Sequence, residues 1–149
     1  MPIVVLPKLG LSSSAARRCK HWIKRLDRVD TSQSNGYAFV GAFLTFEATV
    51  ECPDGTWFLS YIEDSSATRL RGRTVTVFQV RGTELVEVAE WDLDASAGWA
   101  LKVRDEIAAL MQAAAAPDPD ALRAERQQIL TRLAEINALL GDTADTPAI

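Results

Sequence analysis

The sequence predicts an α+β fold. An antiparallel four- to five-stranded curled sheet, or small open barrel, is preceded by one basic amphipathic helix and followed by two helices. Three observations carry this. Between Gly36 and Trp91 the apolar residues alternate in runs separated by turn residues, which is the period of strands. Beyond Asp94 the apolar spacing changes to that of helices. Ahead of Gly36, bases and apolar residues fall on opposite sides of a helical wheel.

Ile3–Leu6, set between Pro2 and Pro7, suits a short strand or an extended lead-in. Ser12, Ser13 and Ser14 offer N-caps for a helix ending near Arg28. At about 100° per residue, Ala15, Cys19, Trp22, Ile23 and Leu26 share one side of that helix. Arg17, Lys20, His21, Lys24, Arg25 and Arg28 take the other side, and Trp22 and Leu26 are expected to anchor it on the sheet. Asp30–Gly36 is a polar loop.

Tyr37 to Cys52 is the expected organising strand. One face, Ala38, Val40, Ala42, Leu44, Phe46, Ala48 and Val50, is apolar throughout, and the helices are expected to pack on it. The other face begins Tyr37, Phe39, Gly41 and Phe43 and then turns polar. A glycine inside so long a strand predicts a bulge or bend at Gly41. Pro53 and Gly55 in Cys52–Thr56 predict a hairpin returning as Trp57–Ile62, with Trp57 and Phe58 near Val50 and Glu51. A polar loop, Glu63–Thr68, leads on to strands Thr74–Val80 and Glu84–Trp91, joined by a turn at Arg81–Thr83.

Asp94 or Ser96 is expected to cap a helix reaching about Ala115, with Trp99, Val103, Ile107, Leu110 and Met111 as its apolar stripe. Pro117–Asp120 breaks the chain and caps a last helix, Ala121–Leu140, which Gly141 ends. Leu122, Ile129 and Ile136 repeat every seven residues with Leu133 and Leu140 interleaved, and Arg126 stands where another apolar residue would complete the seam. A hairpin onto the preceding helix and pairing with another protomer both satisfy this stripe. The expected organisation is a core domain over residues 1–116, the C-terminal helix over 117–141 and a disordered tail over 142–149.

A chain of 149 residues suits one domain, and 48% hydrophobic with 24% charged residues is the balance of a globular protein. The net charge of −4 hides an asymmetry: residues 1–30 carry +5 and the rest −9. Such a basic segment meets an anionic partner or its own acidic body. Cys19 and Cys52 lack metal-ligand spacing and His21 is the single histidine, which excludes a structural zinc site. With no signal segment and no apolar run near the ~18 residues of a spanning helix, the expected location is cytoplasmic, with reduced thiols and no membrane partner. Twelve arginines against four lysines suggest a bacterial or phage coding sequence.

Catalytic patterns are missing. His21 lies among bases with no nucleophile placed beside it, and Cys19 sits on the apolar side of its helix. Pro53-Asp54 lacks the acidic-x-Lys strand of a metal-dependent nuclease, and the pairs Asp92/Asp94 and Glu63/Asp64 supply too few oxygens for a hard cation. Neither glycine-rich phosphate loop occurs, so no cofactor is expected. The expected function is therefore non-enzymatic. It is an assembly or adaptor protein that binds a protein partner or itself, as a homodimer, through Leu122, Arg126, Ile129, Leu133, Ile136 and Leu140. The alternative is a nucleic-acid-associated domain contacting phosphates through Arg17, Lys20, Lys24, Arg25 and Arg28 and through Arg69, Arg71 and Arg73. Tyr37, Phe39, Phe43, Trp57 and Tyr61 would add base stacking if their face is open.

Overall fold

The computed structural model describes residues 1–63, 72–94, 98–115 and 118–141. The chain divides into two compact units, Met1–Gln112 and Ala113–Ile149. The first holds β1 (Ile3–Val5), α1 (Ser13–Arg18), β2 (Lys20–Val29), a 3₁₀ turn (Gly36–Ala38), β3 (Phe39–Leu44), β4 (Thr49–Glu51), β5 (Trp57–Glu63), β6 (Arg73–Arg81) and β7 (Glu84–Leu93). Helix α2 (Trp99–Ala115) follows the sheet, and α3 (Pro119–Leu140) belongs to the second unit.

The fold is α+β. Five antiparallel strands run in the order β3-β2-β5-β6-β7, and β1 pairs with β4 in a separate two-stranded sheet. Both faces of the larger sheet are covered, by different things. Leu26, Phe39, Trp57, Leu59, Tyr61, Val75 and Val77 bury against Ala100, Val103 and Ile107 of α2. On the opposite face Ile23, Phe58 and Val80 pack with Val4, Leu6 and Cys52 from the β1–β4 side.

The expected N-terminal helix to Arg28 does not form. Helix α1 ends at Arg18, capped by the Ser12 hydroxyl accepting from the Ala15 amide at 3.2 Å, and Lys20–Val29 is a strand. The physical reason is the double cover. Trp22, Lys24 and Leu26 face α2 while Ile23 faces the small sheet, so adjacent residues are both sheltered and strict alternation is lost. Positions 22, 23 and 26 then mimic a helical stripe.

The expected long strand is broken as well. Chain direction changes over Thr45–Ala48, where Glu47 adopts φ 68°, and Thr49–Glu51 leaves the main sheet for β1. The Leu6 amide donates to Ala48 O at 2.8 Å and the Glu47 amide to Pro7 O at 3.1 Å, which fixes this departure. Phe39–Leu44 is therefore an edge, and the central strand is Trp57–Glu63. Helix α2 packs on the face of Phe39, not on the continuous apolar face, whose Leu44, Phe46, Ala48 and Val50 meet the second cluster.

Cys52–Thr56 does not join paired strands; it crosses from the small sheet to the large one. Trp57 stands opposite Leu26 and Gln79, away from Val50. The Asp54 carboxylate accepts from the Gly82 amide at 2.9 Å and so ties this crossing to the β6–β7 turn. The irregularity expected at Gly41 lies across the ladder from it: β2 carries one extra residue, Asp27, between the pairs Leu26–Gly41 and Arg28–Val40. Strands β6 and β7 form as expected. Asp118 caps α3 and Gly141 ends it at φ 74°. Ser96 and the expected tail 142–149 lie outside the described residues.

Candidate functional site

Two surfaces of this protein gather exposed aromatic or aliphatic side chains. The first is a cleft of about 500 Å³ at the end of the sheet where α2 begins. Strand β2 contributes Lys20, Trp22 and Lys24, β3 contributes Phe43, β5 contributes Tyr61 and Glu63, β6 contributes Arg73, and α2 contributes its first residue, Trp99. All the strand residues point to the face that α2 covers further along. Asn35, Gly36 and Tyr37 close one side, held by the Asn35 side-chain oxygen accepting from the Tyr37 amide at 3.0 Å.

The rings form a connected set. Trp22 stacks on Tyr61 at 5.3 Å and 15°, Tyr61 meets Trp99 at 4.6 Å, and Phe43 stands edge-on to Trp22 at 5.8 Å and 86°. Aromatic geometries of this kind add to area burial. The set is open at one side: Tyr37 is 81% exposed and Phe43 66%. The aromatic series read from the sequence is therefore split, because Phe39 and Trp57 are core while Tyr37 and Phe43 are open.

Lys24 is the unusual member. Its side chain is buried, with Nζ donating to Phe39 O at 2.7 Å and lying 4.4 Å from the Phe43 ring centre and 5.3 Å from that of Trp22. Burial pushes its pKa below the usual lysine range, because the charged form loses hydration. The cation–π contacts and the carbonyl hold the ammonium in place. At the floor, Arg73 Nε donates to the Tyr61 hydroxyl at 3.0 Å, and that hydroxyl donates to Glu63 Oε2 at 2.8 Å. Burial first, and the bond to Glu63 second, push the Tyr61 phenol up to about 12.

The bases expected to share a helix face are dispersed by the strand. Arg17 is on α1, Lys20 and Lys24 face the cleft, Arg25 points to the opposite face beside Asp27 at 3.7 Å, and Arg28 lies beyond the bulge. Arg73 enters the cleft, whereas Arg69 and Arg71 lie outside the described residues. Trp22, Trp99 and Lys24 were legible only as sheet anchors and a solvated base, since a helix assignment for β2 hides their convergence. His21 is half-buried, not on an open helix face. Its Nδ1 is 3.0 Å from Cys19 O and its ring is 5.9 Å from Phe46. Cys19 is half-buried, Cys52 is buried, and both are free thiols. Asp92 accepts from Thr74 Oγ1 at 3.1 Å, and the Asp94 carboxylate is 3.5 Å from Lys102 Nζ. Among the described residues no three metal-ligating side chains gather, and no helix is long and apolar enough to cross a membrane.

The second surface is α3. Leu122, Ile129, Leu130, Leu133, Ile136, Leu139 and Leu140 are all exposed along this 22-residue helix. Arg126 interrupts the stripe, and the ion pairs Arg123–Asp120 and Arg132–Glu135 lie at 2.6 and 3.1 Å. Comparison of the chain with protein-family models, with curated proteins and with solved structures returned no match.

Proposed function

We propose that this chain is a non-enzymatic assembly protein that associates with a second copy of itself through α3. The supporting observation is the run of seven exposed leucines and isoleucines on one helix. A surface stripe of that size marks an interaction site. The spacing supports pairing with a like helix. Leu133 and Leu140 occupy a positions and Leu122, Ile129 and Ile136 occupy d positions of a heptad, so the apolar seam repeats at the period by which helices pair with like helices.

A helix of this length spans about 33 Å and is marginal alone, so covering the seam also stabilises the helix. Arg126, at an a position, sets register at some loss of stability. The smallest assembly of this kind is a homodimer. Leucine at a with isoleucine at d, widened by Leu130 and Leu139, favours bundles of more than two helices.

Size-exclusion chromatography across a dilution series tests this with the full chain and with Ile129→Glu. Ile129 is 60% exposed, so its replacement leaves the sheet core intact. The parent should elute as an oligomer that dissociates on dilution, and Ile129→Glu as a monomer with the parent's melting curve for the sheet. Identical elution of the two would remove the reading.

A further inference from the structure

We infer that the aromatic cleft at the start of α2 binds a nucleotide unit, with its base against the open rings of Tyr37 and Phe43 and its phosphate on Lys20. None of the residues lining this site belongs to α3, and nothing in it depends on self-association.

Three properties of the cleft select this ligand. The first is ring surface. Tyr37 and Phe43 are exposed beside Trp22 and Trp99, and a flat π system placed against such rings gains stacking beyond its area burial. Single-stranded nucleic acids are bound on such platforms because every base has a π face.

The second is charge. Arg73 and Glu63 answer each other through the Tyr61 hydroxyl, so the two carry no net demand into the cleft. Lys20 and Lys24 remain, and among the described residues neither has a carboxylate within ion-pair distance. The cleft is thus locally positive on a chain whose net charge is −4, and an anionic ligand complements it.

The third is an exclusion. Aromatic clefts also capture organic cations, but here one side of the Phe43 ring already holds the protein's own ammonium, 4.4 Å from Phe43 and 5.3 Å from Trp22. A second cation would meet Lys24 at close range. A ring bearing a phosphate would instead find Lys20 exposed at the rim and Lys24 beneath the Phe43 ring. The cleft volume of about 500 Å³ is in the ordinary range for small-ligand sites.

The nucleotide can be free or part of a single strand, and two direct titrations of the full chain separate these sources. One follows the anisotropy of a fluorescein-labelled, mixed-sequence single-stranded DNA of about 12 nucleotides at low salt. The other follows tryptophan emission on adding AMP, since Trp22 and Trp99 line the site. Binding of the strand alone assigns the site to single-stranded nucleic acid, and binding of AMP assigns it to the free nucleotide. In the arm that binds, Tyr37→Ala and Phe43→Ala should each weaken affinity about tenfold or more, by loss of one stacking partner. Lys20→Ala should weaken strand binding and lower its salt dependence by about one phosphate contact.

Tyr37 is 81% exposed, so its variant keeps the fold even if Phe43→Ala loosens the edge strand; thermal melts verify this. Failure of both probes to bind overturns the proposal. So does binding that Tyr37→Ala and Phe43→Ala leave unchanged, or duplex DNA of the same length competing as well as the single strand.

Discussion

Gly41→Ala should be among the most damaging single-methyl changes in this protein, and the reason is contact, not backbone conformation. A Cβ on Gly41 would lie 1.7 Å from Arg25 O, 2.8 Å from Arg25 C and 3.2 Å from Leu26 Cα. All three are main-chain atoms of β2, so no rotamer change relieves the overlap. If the strands part locally, overpacking of this type costs about 1–3 kcal/mol. If β3 leaves the ladder, Phe39 is uncovered, and burial of such a ring is worth about 1.5–3 kcal/mol. Ladder hydrogen bonds add about 1 kcal/mol each. A loss of about 3–5 kcal/mol follows, a large share of the roughly 5–15 kcal/mol of a typical domain. Urea unfolding followed by tryptophan fluorescence measures it. Gly82→Ala is the control, because its Cβ meets nothing within 4 Å and only its φ of 67° resists a side chain. That change should cost about 1–2 kcal/mol and Gly82→Asn less, since asparagine tolerates the left-handed region. A Gly41→Ala unfolding free energy within about 0.5 kcal/mol of the parent's would refute the β2–β3 register and its bulge at Asp27.

Tyr61 should ionise late. Its folded pKa is raised from 10.0 to about 12, so the stability its neutral hydroxyl contributes is present below 10 and lost as pH rises through about 12. Tyrosinate absorbance against pH should show a late step that Tyr61→Phe abolishes; complete ionisation well before pH 12 would contradict the half-buried Arg73–Tyr61–Glu63 chain. Ile107→Ala, at a fully buried position between α2 and the sheet, should destabilise by about 2–5 kcal/mol in the same urea assay. A small effect there would mean that α2 does not cover the Phe39 face.

How far the sequence spoke depended on whether a segment's pattern had one cause. Strands β6 and β7 were legible because Val75 and Val77 alternate with polar neighbours and Gly82 turns the chain between them. Helix α3 was legible because Asp118 and Gly141 mark its ends. Strand β2 was not, since shelter on both faces produced a spacing that a helix explains equally well. Alternation names faces, not partners, so the pairing of Ile3–Val5 with Thr49–Glu51 could not be read. The break at Thr45–Ala48 rests on Glu47 at positive φ, which nothing in a glutamate announces. For the cleft, the odd face of Tyr37–Phe43 was visible, but its division into a buried Phe39 and open Tyr37 and Phe43 is set by where α2 starts, at Trp99.

Multi-angle light scattering of the full chain measures most directly whether α3 is an assembly element. The seven exposed aliphatic residues predict a particle of at least twice the 16.3 kDa chain mass, falling to 16.3 kDa for Ile129→Glu with the sheet still folded. A parent that is monomeric at every concentration, or an Ile129→Glu variant with the parent's mass, would contradict self-association through this helix.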